Sequence, residues 1–542
     1  MSLPDYETFI DTFSVADIEK QLLGNRADGF SVCSEICERY AQGDSVALVH
    51  ESTDGTVREY SFADLNSRAA QFANYLDSQG IGRGDRVACL LPRTPELFVV
   101  VLGTLRAGAV YQPMFTAFGP GAIEYRIEKA QTKLIVTDEA NRPKLEEVTD
   151  CPQVLLVSSS TTERKDEIFD QTLDKHSVNF EPVVIGAKEP FLQMFTSGTV
   201  GKSKGVSVPA EALLSMFVYM KYGIGLEPED VYWNVADPGW AYGLFYAVIG
   251  PLLLGHTTYI NEAGFAAANT FEFLSKHGIT NLAAAPTAYR MLMANEGLME
   301  VAGDIRLRCA SSAGEPLNPE VVHWINRELG CPVGDHYGQT EIGMTVCSHH
   351  GLEHTRRIGS MGYSMPGYRV VALKDDFSEA GEGETGQLAV DMQASALYYF
   401  QGYTWGEKEP FHDKYYLTGD VVEAHGDGAF TFAGRDDDII SSAGYRIGPA
   451  DVESTLIEHE SVAESGVVGK PHPERGAIVK AYVVLNSGFE GSDTLADELQ
   501  QHVRNRLSTH AFPREIEFIT ELPKTPSGKI QRFMLRQRAE QA

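Results

Sequence analysis

Apolar positions recur at helical spacing after Ser61, at Leu65, Ala69, Phe72, Ala73 and Leu76, and Gly80 closes the run. Ser61-Phe62-Ala63-Asp64 at its start reads as a capping box, in which a hydroxyl and a carboxylate satisfy the first free amides of a helix. Residues 86–91 then read as a strand, 95–107 as a helix ending at Gly108, and 109–114 as the next strand. Leu134-Ile135-Val136-Thr137 and Val154-Leu155-Leu156-Val157 add apolar runs of strand length. Strand and helix alternating in this way predict βαβ units and parallel sheet, because parallel strands need a long crossover between them.

The alternation resumes downstream. Residues 210–222 read as a helix, 247–254 are apolar, and a helix over 271–277 leads into a buried run over 279–285. From about residue 359 to 390 glycines and short alternating runs predict an antiparallel, barrel-like section. The texture changes again at Gly434-Arg435-Asp436-Asp437-Asp438. Beyond it a helix beginning at Pro449, strands over 462–468 and 478–485, a helix with Leu495, Leu499, Val503 and Leu507 on one face, and a strand over 515–519 form a compact α+β unit. The expected class is α/β: a large N-terminal domain of parallel α/β sheets with a β-barrel-like subdomain, followed by a small α+β domain. The boundaries predicted are 1–434, a hinge at 435–439, and 440–542.

Composition narrows the partners. With 45 basic and 75 acidic residues the formal net charge is −30, which argues against non-specific nucleic-acid binding and against docking on anionic membranes. Any ATP-like anion must then be met by positive charge built into its own site. Seven scattered cysteines contain no CxxC pair and read as reduced thiols. Residues 1–7 lack a basic and apolar leader, and no apolar run reaches the ~18 residues a bilayer span needs. The expectation is a cytoplasmic protein without a membrane span; a homo-oligomer is left open.

One stretch stands out chemically: Thr196-Ser197-Gly198-Thr199-Val200-Gly201-Lys202-Ser203-Lys204-Gly205. Glycines let amides converge on an anion, hydroxyls donate to it, and lysines supply compact positive charge. Gly201-Lys202-Ser203 invites comparison with a Walker loop and hence with an NTPase or kinase. That pattern, however, requires glycine where Thr196 stands, and a helix directly after the loop. Here Gly205-Val206-Ser207-Val208-Pro209 reads as a strand, so the loop is expected at the tip of a hairpin.

The decade instead resembles the signature of the adenylate-forming superfamily, which comprises acyl-CoA synthetases, adenylation domains and luciferases. Further motifs follow in that family's order. They are Ala285-Pro286-Thr287, Ser312-Ala313-Gly314-Glu315-Pro316-Leu317, Tyr337-Gly338-Gln339-Thr340-Glu341, Tyr416-Leu417-Thr418-Gly419-Asp420, the Asp-rich turn at 434–438, and Pro523-Lys524-Thr525-Pro526-Ser527-Gly528-Lys529-Ile530. Val200 and Ser203 depart from the pattern, standing where Thr and Pro are usual.

The resemblance implies ATP, Mg²⁺ and coenzyme A as ligands and a set of roles. Thr196, Ser197, Gly198, Thr199 and Lys204 would hold the β- and γ-phosphates. Gly314, Glu315, Pro316, Asp335 and Tyr337 would form the adenine pocket, with Tyr337 stacked on the ring. Thr340 would contact the α-phosphate and Glu341 would bind Mg²⁺. Asp420 would accept the ribose hydroxyls, with Arg435 and Arg446 adding charge nearby. Lys529 would bridge the attacking carboxylate and the α-phosphate. Asp437 would be the hinge, and Gly444 would keep the pantetheine tunnel open.

Asp237-Pro238-Gly239-Trp240-Ala241-Tyr242-Gly243 resembles the acetyl- and medium-chain acyl-CoA synthetase branch, and Trp240, Ala241, Tyr242, Ala313 and Gly338 are expected around the acyl group. Acetyl-CoA synthetases carry Trp where Gly338 stands, so the glycine is expected to uncap the pocket for a longer acid: medium-chain, branched or aromatic. A rival reading passes the acyl group to a carrier-protein thiol instead of CoA.

Overall fold

The capping box forms as the spacing predicts: Asp64 N donates to Ser61 Oγ and Ser61 N donates to Asp64 Oδ2, both at 3.0 Å. The helix it opens, Phe62–Ser78, buries Leu65, Ala69, Phe72, Ala73 and Leu76. These pack on the helix Pro95–Arg106, where a β-carbon at Gly103 would lie 2.8 Å from Ala69 O. The computed structural model describes residues 3–158, 166–196, 203–405, 409–442, 445–472, 475–508, 510–525 and 529–541.

Two large sheets carry the N-terminal part. The seven-stranded sheet runs Glu167–Ile168, Gln153–Val157, Leu134–Asp138, Arg86–Leu90, Val110–Pro113, Pro190–Thr196, Lys204–Pro209. Every neighbouring pair is parallel except the last. In the nine-stranded sheet six consecutive strands are parallel: Val333–Gln339, Cys309–Ala313, Asn281–Ala284, Tyr232–Asn234, Thr258–Asn261 and Val46–Glu51. Antiparallel strands close both edges. Several motifs lie just past the carboxyl ends of these strands: Gly314 after Ala313, Thr340 after Gln339, and the phosphate loop after Thr196. That edge is where ligands bind in open α/β sheets.

The antiparallel section is longer than expected. Five strands, Val370–Leu373, Thr385–Asp391, Phe411–His412, Tyr415–Ala424 and Phe430–Arg435, carry it past residue 390 to Arg435. Its last two strands set Asp420 opposite Arg435. Only residues 436–439 separate it from Ile440–Ser442, the first strand of the C-terminal sheet. The C-terminal unit also holds Gly476–Leu485, paired with Val462–His472 on one side and Glu515–Phe518 on the other, and the helices Pro449–Ile457, Asp493–Arg506 and Arg532–Gln541. Leu499 and Val503 are buried in it, but Leu507 is 38% exposed because the helix stops at Arg506. Among the described residues no helix is long and apolar enough to cross a membrane.

Candidate active site

The phosphate loop leaves and rejoins the sheet at one point, because Thr196 pairs with Lys204 across the hairpin. Ser197, Gly198, Thr199 and Val200 lie outside the described residues. A strand, not a helix, follows the loop, which removes the helix N-terminus that a Walker site uses. Ser203 is held from three sides. Its carbonyl accepts from Tyr125 Oη at 2.9 Å and Trp405 Nε1 at 3.2 Å, and its hydroxyl accepts from Arg126 at 3.2 Å. These bonds anchor the position where the family usually has a rigid proline. Gly205 is dictated by the same indole, since a β-carbon there would stand 2.5 Å from the Trp405 ring.

Glu341 follows the strand Val333–Gln339 and is buried. Burial raises its carboxyl pKa, opposed by the Tyr403 hydroxyl, Lys204 and Arg435. Tyr403 Oη donates to Glu341 Oε1 at 2.9 Å, and the Lys204 ammonium lies 4.3 Å from the centre of the Tyr403 ring. One tyrosine thus touches both the cation of the phosphate hairpin and the buried carboxylate. An oxygen donor of this kind suits Mg²⁺, which takes one or two carboxylates and fills its shell with phosphate oxygens and water. Thr340, beside it, makes no side-chain hydrogen bond among the described residues.

Asp420 is buried, which raises its pKa; Arg435, Tyr337, Gln339 and Lys529 act against that shift. Its Oδ2 accepts from Tyr337 Oη at 2.5 Å and from Gln339 Nε2 at 2.9 Å. Oδ1 faces Arg435 at 3.5 Å. The amide of Gln339 has a fixed orientation, because Tyr416 Oη donates to its oxygen at 2.7 Å and its nitrogen also donates to Thr418 O at 2.9 Å. Tyr337 therefore does more than offer a ring face: its hydroxyl is committed to Asp420. Arg435 Nε also reaches Asp437 at 3.1 Å, while Asp438 pairs with Arg536 and Arg532 of the C-terminal helix.

Within Gly314-Glu315-Pro316 the carboxylate of Glu315 turns away to Thr287 Oγ1, at 2.8 and 2.9 Å, and to Arg290 at 2.9 Å. It fastens the Pro286–Met293 helix, so this carboxylate already has its partners within the protein. Asp335 lines a neighbouring cavity with Leu317, Val333, Arg356 and Ser360, and burial pushes its carboxyl up to about 7. Lys529 Cε lies 4.0 Å from the point where a β-carbon on Gly314 would stand. Its loop is closed by Thr525 N donating to Lys529 O at 2.7 Å and Lys529 N donating to Thr525 Oγ1 at 3.1 Å. Gly444 and the side chain of Arg446 lie outside the described residues.

Among the residues expected around the acyl group, Trp240 packs against Phe115 and Phe118 with ring centres 5.2 and 5.6 Å away. Ala241 and Tyr242 are half-buried beside it, and Ala313 is buried at its strand end. Gly338 lies where two strands approach closely. A β-carbon there would be driven into Gly343 O and would lie 2.7 Å from both Cα and Sδ of Met344, at a register shift between the two strands. Close backbone approach requires this glycine. Tyr403 and Tyr219 were not singled out from the sequence, and Gln339 and Tyr416 stood only as members of their motifs without a role; the aromatic run over 398–405 was the one local signal pointing to Tyr403.

A family model described as AMP-binding enzyme matches residues 37–403, and one described as AMP-binding enzyme C-terminal domain matches 451–529. The chain is 33% identical to an acetyl-coenzyme A synthetase of Bacillus subtilis over 99% of this chain and 95% of that protein. It is 35% identical to a mitochondrial acyl-coenzyme A synthetase of Rattus norvegicus, covering 90% of this chain and 85% of the other. Among solved structures it resembles a Brucella canis acyl-CoA synthetase at 50% identity and a TM-score of 0.81, covering 99% of each chain. A benzoate CoA ligase from Burkholderia xenovorans matches at 26% identity and a TM-score of 0.83, over 94% of this chain and 100% of that one.

Proposed function

The chain belongs to the AMP-binding enzyme family, and we propose that it is an ATP-dependent, AMP-forming acyl-CoA synthetase. The observation that carries this reading is the convergence of Lys529, from the C-terminal unit, with Gly314, and of Asp420 with Arg435, at the carboxyl edge of the sheets. A carboxylate attacking the α-phosphorus of ATP brings two anions together, and a cation at the reacting atoms offsets that repulsion. Such stabilisation is worth about 3–4 kcal/mol.

In this reading the hairpin ending at Thr196 and Lys204 holds the β- and γ-phosphates that depart as pyrophosphate. Thr340 donates to the α-phosphate, Asp420 accepts the ribose hydroxyls through Oδ1, and Asp335 and Tyr337 border the adenine. Glu341 would hold Mg²⁺, which supplies charge neutralisation on the phosphate oxygens. Lys529 draws the acid's carboxylate to the α-phosphorus, so that an acyl–phosphate bond forms as the bond to pyrophosphate breaks. The thiol of CoA then attacks the acyl carbon, a thioester forms, and AMP leaves. The domain boundary at 435–439, with Asp437 as hinge, would let the small domain turn between the two half-reactions and bring Gly444 to the thiol's path. In the same reading the acid is longer than acetate, medium-chain, branched or aromatic, which the small side chains of Ala241 and Ala313 beside Trp240 support. A cytoplasmic location belongs to the same reading, supported by seven free cysteines.

The test is release of AMP and pyrophosphate with and without CoA, over linear acids from acetate to dodecanoate and over branched and aromatic acids. Release of ADP or of inorganic phosphate sinks the reading. Turnover with a carrier-protein thiol but not with CoA favours the rival acceptor.

A further inference from the structure

Next to Trp240 and Ala241, the residues proposed to surround the acyl group, three side chains form one run of hydrogen bonds. The hydroxyl oxygens of Tyr242 and Tyr219 are 3.2 Å apart, Tyr219 Oη is 2.8 Å from His336 Nδ1, and His336 Nε2 is 3.3 Å from the backbone oxygen of Ser348. The far end fixes the direction of every proton in the run. A carbonyl oxygen only accepts, so Nε2 carries the imidazole proton and Nδ1 is bare. Burial pushes His336 down to about 3, so the ring holds no second proton near neutral pH. Tyr219 must then donate to Nδ1, and its oxygen is left to accept from Tyr242. Tyr242 has thereby committed its only proton. No other side-chain hydrogen bond reaches its oxygen among the described residues, so that oxygen presents lone pairs only.

Tyr242 stands directly after Trp240 and Ala241 and is half-buried, whereas residues 243–250 behind it are buried. Its partner cannot swing away. Tyr219 is fully buried, with its ring 4.4 Å from Tyr246 and 5.4 Å from His336, and it opens the π-helical turn Tyr219–Gly223. The direction of the run is therefore fixed by the fold around Tyr219.

We propose that Tyr242 is a specificity-determining residue that selects carboxylic acids carrying a hydrogen-bond donor at the distal end, such as a hydroxyl or an amine, over the same acids ending in a hydrocarbon or an acceptor. This rests on the acyl-CoA synthetase reading and names the substrate class within it. A plain hydrocarbon leaves the tyrosine oxygen dry and unpaired, and a methoxy group sets lone pair against lone pair. A donor satisfies it, and sites built around a polar partner discriminate strongly against analogues that lack it.

The experiment measures CoA-dependent pyrophosphate release by the full-length enzyme with hexanoate, its terminal hydroxy and methoxy derivatives, and phenylpropanoate with and without a para-hydroxyl. The hydroxy acids are expected to exceed both analogues in kcat/KM by about tenfold, the ratio one well-placed hydrogen bond supplies. Tyr242→Phe should bring that ratio close to one. Tyr219→Phe removes the acceptor of the Tyr242 proton and frees it to point at the substrate, so the preference should turn towards the methoxy acids. Equal kcat/KM for hydroxy and plain acids, or a preference unchanged in Tyr242→Phe, overturns the proposal while leaving the synthetase reading intact. Pyrophosphate release with none of these acids overturns this proposal, and release with none of the acetate-to-dodecanoate, branched and aromatic acids either overturns both.

Discussion

The Tyr403 hydroxyl donates a 2.9 Å hydrogen bond to Glu341 Oε1, across 62 residues of sequence. It is a neutral donor to a buried carboxylate whose pKa burial already raises. Removing it leaves the ionised form less favoured, so the carboxyl pKa climbs further. Tyr403→Phe should therefore move the acid limb of kcat/KM for MgATP to higher pH and raise the Mg²⁺ concentration needed for half-maximal rate about tenfold. An acid limb that stays in place, measured over pH at saturating acid and CoA, would show that Tyr403 does not tune Glu341.

Lys529 reaches Gly314 only from the C-terminal unit, at 4.0 Å from the glycine's would-be β-carbon. If its charge serves the attack on the α-phosphorus, Lys529→Ala should lose about a hundredfold or more in adenylate formation. Thioester formation from a preformed acyl-adenylate should be largely spared. Equal losses in both half-reactions, followed separately by pyrophosphate exchange and by acyl-CoA formation, would reject that role.

What could be read from the sequence divides along physical lines. The hairpin carrying Lys204 was legible because a glycine- and hydroxyl-rich run sits between two short apolar runs, and its strand-loop-strand form follows from that pattern alone. The Phe62–Ser78 helix was legible from its cap and its 3.6-residue period. The hold of Tyr403 on Glu341, of Gln339 on Asp420 and of Tyr219 on Tyr242 was not, because each joins residues brought together only by the fold. Gly338 shows where such reading stops. A glycine in a motif reads as space for substrate; the backbone of Gly343 also stands where its β-carbon would go, and no local pattern encodes how closely two strands approach.

That close approach changes what a substitution at Gly338 should do. A methyl group must displace Gly343 O and Met344, and overpacking of this kind costs about 1–3 kcal/mol. Gly338→Ala should lower the apparent Tm by about 1–3 °C and leave the chain-length profile in place. A clear shift towards acetate with no loss of Tm would favour the uncapped pocket instead.

Asp335 supplies a pH dependence of defined sign. Burial lifts its carboxyl from the ordinary 3.8 to about 7 in the folded protein. Between those values the folded state holds a proton that the unfolded state has lost, so stability falls as pH rises through that window and the loss is complete above about 7. Asp335→Asn cannot ionise. Its apparent Tm should decline less than the wild type's between pH 5 and pH 8 in thermal unfolding without nucleotide. Parallel curves for the two proteins would mean that Asp335 titrates normally.

Asp437 lies in the four residues, 436–439, that link the antiparallel sheet to the C-terminal sheet, and it accepts from Arg435 Nε at 3.1 Å. Arg435 in turn faces Asp420, so the linker is tied to the proposed ribose site on one side, while Asp438 is tied to Arg532 and Arg536 on the other. A rotation between half-reactions must be absorbed by the backbone between these two anchors. Proline fixes φ near −65° and restricts the residue before it, so Asp437→Pro should hinder that rotation. Thioester formation should slow at least about tenfold more than adenylation, because the orientation joining Lys529 to Gly314 is already in place. Stopped-flow measurement of the two half-reactions decides it: equal slowing, or none, would mean that the chain does not turn at this residue.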